Sequence, residues 1–563
     1  MSQILTQFSD YAEQSRKNWQ IPGMAVAIVK DDKIIYAQGF GKRDTTGSPV
    51  TANTIFDIAS LTKSFTATLL AMQIDQGKYN WNTKIVTLYP QFKPYDSNTT
   101  KTFEVRDLLA HDSGLPADAV DLLTGNFGYT LNHAIYALRF IKPVAPFRTE
   151  FAYQDIFPML AGKIIEKISG KSFIDNLHHN LFNPLQMTYS YGDEESIFQL
   201  EDIAQPFAKL AGKVYAYPIN SPYSSKVRAS VKDPGSSGGI HSSAMDMAKW
   251  LIFNIQNGTN GKIQLVSTKN MQVIHSPQTL IKNSEHDVNL HGEHKQNNGM
   301  GWFIDKQEYQ PNTVLYHPGG GMGMHALMAY IPEEEIGIVI LTNTWGNQLP
   351  EALYRRFFDL YFNKQLLKDW SYIFLQEKID FFAKEKLIAL SDKCVIRKVI
   401  ETKSVINFVM LLPLHRSFHG YGRNAVPIVH PNGEVVGVQV TGYKFSFFGM
   451  QEFINILNNG SYEPKQFHPE VDNPAKFYNQ LKLSPRQKEV LFLVSQGISQ
   501  DYAAQILGIK RGTLSKIISD QICPKFNIFP PHYLKLLNTV KEHGIDKIIP
   551  ESFWRPFIFE YPT

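Results

Sequence analysis

DIASLTKSFTAT, residues 57–68, sets Ser60 and Lys63 three apart in a run that is otherwise small and apolar. On a helix, positions i and i+3 share a face, so the Lys63 amine can lie beside the Ser60 hydroxyl. A serine hydroxyl is a poor nucleophile until a neighbour takes its proton, and the positive end of a helix dipole favours the charge that then develops. Taken alone, the quartet reads more readily as an N-cap serine followed by a solvated lysine. On the order of two Ser-x-x-Lys matches are expected by chance in a chain this long. What the quartet means depends on the rest of the chain.

The chain has 563 residues, which at about 150 per domain implies two to four units. Its 43% hydrophobic and 19% charged content is that of a folded chain rather than a disordered one. A net charge of +4 is too small to mark the whole molecule as a binder of nucleic acid or membranes, so any basic patch must be local. Only Cys394 and Cys523 occur, which excludes a disulfide scaffold and a cysteine zinc cluster. The start lacks a basic stretch followed by an apolar one, and Ile4, Phe8 and Tyr11 recur as on one helix face. No run approaches 18 apolar residues, so no membrane span and a cytoplasmic location are expected. His291 and His294 lie in a Gly/Asn-rich loop without a third ligand and read as surface polar residues; no metal or cofactor is expected.

GMAVAIVKDDKIIYAQGFGKRD reads as a hairpin around Asp31-Asp32. Helical patterns dominate from Ser60 to about Asn180, apart from a polar, Pro-containing stretch near residues 90–102. The Gly/Ser/Pro/Asn-rich text of 210–297 holds one clear helix, SAMDMAKWLIFNIQ. Strands return in GMGWFID, NTVLYHP and MHALMAYIPEEEIGIVILTNT, and the helix LPEALYRRFFDLYF follows. Strands at both ends with helices between them predict an α/β domain whose N- and C-terminal strands share one antiparallel sheet.

These residues resemble the serine β-lactamase-like hydrolases of the class C type, which include D,D-peptidases and carboxylesterases. The resemblance runs from residue 5 to about 365. FDIASLTKSFTATLLAMQIDQGK looks like the nucleophile segment, VRDLLAHDSGLP like the loop after it, and PGSSGGIHSSAMDMAKWL like the glycine-rich lead into a helix. FAYQDIFPMLAGKIIEKISGKSF resembles the segment carrying the second motif, Tyr-x-Asn, and YHPGGGMGMHALMAYIPEEEIGIVILTN resembles the third. The resemblance implies a transpeptidase-like α/β fold, with an antiparallel sheet flanked by helices and a helical subdomain. It implies Ser60 as nucleophile and Lys63 and Tyr153 as general base and acid. It also implies His317 on the strand edging the site, and backbone N–H groups of Ser60 and Gly320 holding the oxyanion.

Two positions depart from the family pattern. Asp155 stands where the family usually has Asn, and a carboxylate there favours the charged ammonium and weakens Lys63 as a base. His317 stands where β-lactamases typically carry a lysine, and a mostly neutral histidine is a poorer carboxylate anchor. Ester or peptide hydrolysis is therefore ranked above β-lactam hydrolysis.

LKLSPRQKEVLFLVSQGISQDYAAQILGIKRGTLSKIISDQICPKFNI reads as three helices. Ser484-Pro485 starts the first, with Val490, Leu491 and Val494 on one face, and Gly497 ends it. Ser499 caps the second, whose Ala503, Ala504 and Ile506 allow close packing, and Leu507-Gly508-Ile509 turns into the third. This segment resembles the LuxR-type helix-turn-helix. The resemblance implies a third helix in the major groove, with Lys510, Arg511, Thr513, Ser515, Lys516 and Ser519 facing DNA. It also allows a homodimer when bound to DNA. Lys482 to Lys525 holds seven Lys/Arg against three acids, a local excess equal to that of the whole chain.

The expected organisation is a β-lactamase-like domain over 1–370, an α+β segment over 371–462, a linker over 463–480, the helix-turn-helix over 481–528 and a tail over 529–563. Part of the α+β segment, NAVPIVHPNGEVVGVQVTGYKFSFF, is faintly similar to the last strands of a PAS-like sensor, and the aromatic tail is expected to pack back onto a domain. The expected activity is hydrolysis of a small-molecule ester, amide or peptide through an acyl-enzyme at Ser60. The alternative is a transcription regulator whose hydrolase-like domain is a weak or inactive ligand sensor.

Overall fold

Gly23–Lys30 (β1) is buried at every position but its last, as befits a strand with layers on both faces. Asp31, at φ 58°, turns the chain into Lys33–Gly41 (β2), which lies at the sheet edge and is largely half-exposed. The other strands of this part are Ile55–Asp57 (β3), Phe207–Leu210 (β4), Lys213–Ala216 (β5), His241–Ser243 (β6), Thr279–Ile281 (β7), Gln296–Asn298 (β8), Phe303–Asp305 (β9), Val314–Gly321 (β10), Met324–Ile331 (β11) and Ile336–Thr342 (β12). The main sheet has eight strands in the order β2-β1-β12-β11-β10-β9-β8-β7. Antiparallel pairing from Met24↔Thr342 to Lys30↔Ile336 joins its first and last strands in sequence, as the strand pattern predicts.

The computed structural model describes residues 1–120, 130–193, 196–197, 200–210, 213–216, 235–282, 296–306, 308–321, 323–344, 346–363, 368–376, 406–414, 417–429, 435–445, 481–495, 500–542 and 557–560. They fall into two units, one of Met1–Ile406 with Asn424–Thr441 and Thr563, the other of Asn407–Arg423 with Gly442–Pro562. His291, His294, Gly497, Ser499, Trp554, the helix expected after Phe445 and the 463–480 linker lie outside the described residues.

In the first unit the helices Ser2–Trp19 and Leu349–Tyr361 share a core with the sheet. Phe8 and Phe357 meet edge-to-face at 5.5 Å above Val26, Ile28, Ile338 and Ile340. The Ala244–Ile255 helix lies against β1 and β12, where Gly337 leaves room for Leu251. Its Trp250 stacks at 3.7 Å on Phe65 of the Thr62–Asp75 helix, in which eleven of fourteen residues are buried. That helix is enclosed on all sides, so its lysine does not sit on the solvated face that the quartet alone suggested.

Three local differences from the sequence reading have plain causes. Residues Ala59–Leu61 form a tighter 3-10 turn, and the α-helix starts at Thr62. Within the 90–102 stretch, Asp96 accepts from Thr99 N at 2.6 Å and caps a short helix, Ser97–Thr102. Ser267 caps a further helix, Thr268–Ile274, inside the Gly/Ser-rich text.

The second unit contains the helices Pro485–Ser495, Gln500–Ile506 and Arg511–Lys516 around Val490, Leu493, Val494, Ala503, Leu514, Ile518 and Ile522. Gly508 turns the chain between the last two helices at φ 63°. Phe557–Glu560 of the tail pairs antiparallel with Phe408–Leu411. Ser417–Val429 and Val435–Phe445 are also strands, of which 424–429 and 435–441 are counted with the first unit. Among the described residues no helix is long and apolar enough to cross a membrane, and no cluster of His, Cys, Asp and Glu could hold a metal ion.

Candidate active site

The site is built where β3, the Thr62–Asp75 helix and β10 converge. Ala59 takes a left-handed backbone, φ 46°, directly before Ser60. That conformation is unfavourable for a residue with a Cβ, and Asp57 holds it by accepting from Ala59 N at 2.8 Å. Gly319 of β10 lies hard against this turn, for a Cβ there would stand 2.3 Å from Ile58 O. Gly301 is likewise required, because its φ is 74° and a Cβ would meet the Lys63 backbone at 2.6 Å. Two glycines thus let strand and loop close on the nucleophile turn.

Lys63 is fully buried, and its Nζ is surrounded by oxygens. It donates to Ser60 Oγ at 3.0 Å and to Ser237 O at 2.8 Å, and lies 2.5 Å from Asp155 Oδ1. The segment supplying Ser237 is stapled to the same helix by Thr66 Oγ1 donating to Ser236 O at 2.7 Å and Ile240 N donating to Thr62 Oγ1 at 3.2 Å. Burial alone would lower the lysine pKa, but Asp155 and then Tyr153 outweigh it and push the ammonium to a higher pKa than usual. The resting lysine is therefore charged.

Tyr153 lies with its ring centroid 4.8 Å from Lys63 Nζ, and its hydroxyl is close to both Ser60 and Lys63. Burial raises the phenol pKa against the lowering pull of Lys63, so the resting tyrosine is protonated. His111 fixes its position by stacking on the ring at 4.4 Å and by its carbonyl accepting from Ala152 N at 2.7 Å. Gln154 reinforces that loop by donating to Leu115 O and Pro116 O at 3.0 and 2.9 Å. Asp155 follows at the start of the Ile156–Ser169 helix, makes no side-chain cap there, and points to Lys63 instead.

His317 on β10 is buried, stacked on Phe303 at 5.0 Å, and 6.4 Å from the Tyr153 ring. Burial, aided by Lys63, lowers its pKa to about 3 despite the hydrogen bond between Nδ1 and Pro318 O. It is neutral at physiological pH, and among the described residues its Nε2 has no partner. His111 is neutral for the same reasons, with His317 adding to the effect. Gly320 is exposed and pairs with His325 of β11, one residue beyond the Gly319 contact.

The structure thus brings Ser60, Lys63, Tyr153, Asp155 and His317 together, with Gly320 on the strand that edges them. Sequence reading missed His111, Asp57, Gly301 and the Ser237 carbonyl. His111 and Asp57 stood within quoted segments, and Gly301 closes the small-residue run before Trp302, but a backbone carbonyl has no side-chain signature. Of the proposed DNA-facing residues, Lys510, Arg511, Thr513 and Lys516 are exposed. Ser515 and Ser519 are half-buried, and Ser515 donates to Gln500 at 2.8 Å.

The family model described as beta-lactamase matches residues 8–359. The chain belongs to the beta-lactamase family. Within it, the chain is 26% identical over 345 residues to the unguisins hydrolase ungD' of Aspergillus campestris, covering 60% of this chain and 61% of that protein. It is 23% identical over 355 residues to protein flp of Staphylococcus aureus, covering 62% and 64%. The chain therefore spans about three fifths of the length of the curated relatives it matches. An octameric penicillin-binding protein homologue from Pyrococcus abyssi has the same fold, with TM-score 0.56 at 21% identity over 79% of this chain and 96% of that one. So does a class C beta-lactamase, with TM-score 0.52 at 21% identity over 65% and 98%.

Proposed function

We propose that this beta-lactamase family domain is a serine hydrolase that cleaves a carboxylic ester or amide through an acyl-enzyme at Ser60. The observation that carries the reading is the buried Lys63 Nζ, 3.0 Å from Ser60 Oγ, under the Tyr153 ring and beside the glycine-lined end of β10. Ser60 attacks the carbonyl, the oxyanion lies toward the N–H groups of Ser60 and Gly320, and Lys63 and Tyr153 move protons between Ser60 and the leaving group. Water then releases the acyl group. The buried neutral His317 offers one uncharged donor or acceptor, which suits a neutral acyl chain better than a β-lactam carboxylate. The hydrolase named among the relatives supports hydrolysis as the reaction class. Turnover of nitrophenyl butyrate by the full chain, abolished in Ser60→Ala, tests the reading.

We further propose that the helices of residues 481–528 form a LuxR-type helix-turn-helix that couples the hydrolase to DNA. The exposed Lys510, Arg511 and Lys516 at the third helix support it. A cytoplasmic location is part of the same reading.

One observation favours a second reading, in which the domain senses a ligand and does not turn over. The Lys63–Asp155 ion pair keeps the ammonium charged, and a charged ammonium accepts no proton from Ser60. A folded protein that binds acylating probes without forming a Ser60 adduct would favour the sensor.

A further inference from the structure

The same ion pair has a second use, which rests on the hydrolase reading. Lys63 Nζ donates to Ser60 Oγ at 3.0 Å and to Ser237 O at 2.8 Å, and the ion pair with Asp155 brings Oδ1 to 2.5 Å from the same nitrogen. Ser237 O is a carbonyl and takes no proton. Of the other two, one is the hydroxyl to be deprotonated and the other is a carboxylate able to accept.

We propose that Asp155 is the terminal proton acceptor of a Ser60–Lys63–Asp155 relay, with Lys63 passing the proton on and remaining an ammonium. In acylation the Ser60 O–H bond breaks as the Oγ–C bond to the carbonyl forms. That proton goes to Lys63 Nζ while an Nζ proton goes to Asp155 Oδ1, and the carbonyl π pair becomes the oxyanion. On collapse the bond to the leaving group breaks, and its oxygen or nitrogen takes a proton from Nζ. Asp155 refills Nζ and is again a carboxylate. One ester and one serine hydroxyl give one acyl-serine and one alcohol, with no other reactant.

Charge counting supports the assignment. Where the second motif carries Asn, a site holding an ammonium has only the tyrosine phenolate to balance it. Here Asp155 balances Lys63, and burial keeps Tyr153 protonated. Asp155 sits at the head of the Ile156–Ser169 helix, makes no side-chain cap there, and is ion-paired with the lysine. The groups facing this pair are Tyr153 on its own loop, Asp118 and His111 on the 111–118 loop, and His317 on β10. Both imidazoles stay neutral, and Asp118 is held up at about 6 by burial and by Asp155, so it is the further carboxyl facing the pair that titrates within the range tested.

The test is the rate of Ser60 acylation by nitrophenyl butyrate and by a fluorophosphonate, followed from pH 4 to 9 in the full chain. Wild type, Asp155→Asn, Asp118→Asn and Tyr153→Phe are compared, with melting temperatures confirming folding. The relay predicts an acidic limb in wild type, a loss of roughly 100-fold or more in Asp155→Asn together with that limb, and retention of the limb in Asp118→Asn and Tyr153→Phe. An equal or faster rate in folded Asp155→Asn overturns the relay and leaves Asp155 as a clamp on the lysine. Loss of the limb in Tyr153→Phe alone also overturns it, because the phenolate is then the base. No Ser60 adduct in wild type with any probe overturns the hydrolase reading and the relay with it.

Discussion

Ala59 adopts a conformation that costs on the order of 1–2 kcal/mol for a residue with a Cβ, and the Asp57 carboxylate offsets it through one hydrogen bond. Asp57→Ala should leave the Ala59 amide unpaired and destabilise the domain by about 1–3 kcal/mol, read as a shift in the urea midpoint. A second residue gives a pH signature. Asp112 is buried beside Asp107, and burial and then Asp107 raise its pKa to about 7. A carboxyl raised in the folded state contributes stability that is complete below its unfolded pKa and is lost as pH rises through about 7. Asp112→Asn should therefore match wild type near pH 4 and gain on it up to pH 8, by about 1.4 kcal/mol per unit at most. Melting temperatures across that range check it, and a difference that does not grow with pH would show that Asp112 is already paired.

At the scale of elements, what makes the site is the contact of β10 with the nucleophile turn. Gly319→Ala would place a methyl 2.3 Å from a backbone carbonyl, which no side-chain rotation relieves. It should cut Ser60 labelling at least about tenfold and destabilise by about 1–3 kcal/mol, measured by probe kinetics and chemical denaturation. The strands and helices around this contact were legible because their apolar periodicity carries them. β1 and β12 are apolar up to their last residues, Lys30 and Thr342, the hairpin turns at Asp31, and the Leu349–Tyr361 helix repeats at 3.6 residues. The placement of Ser60 and Lys63 followed from family order rather than from the quartet, since nothing in four residues says that the lysine is enclosed. The capped helices at Ser97 and Ser267 were not legible, because Ser, Thr and Asn serve loops and N-caps alike. Nor was the Ser237 carbonyl, whose role comes from the fold of PGSSGG against the helix.

For the whole molecule, the proposal joins chemistry in one unit to DNA binding in the other. DNA affinity of the full chain should fall steeply with salt, and Lys516→Ala or Arg511→Ala should weaken it across sequences and flatten the salt slope by about one each. Salt-insensitive or undetectable binding would remove the DNA half of the account and leave the hydrolase half untouched. That half rests on Ser60 being an activated nucleophile, enclosed with a lysine, a tyrosine and an aspartate. Incubating the full chain with a fluorophosphonate and sequencing its peptides by mass spectrometry tests this most directly. The account predicts a single adduct on Ser60, absent in Lys63→Ala; a folded protein carrying no adduct on Ser60 would contradict it.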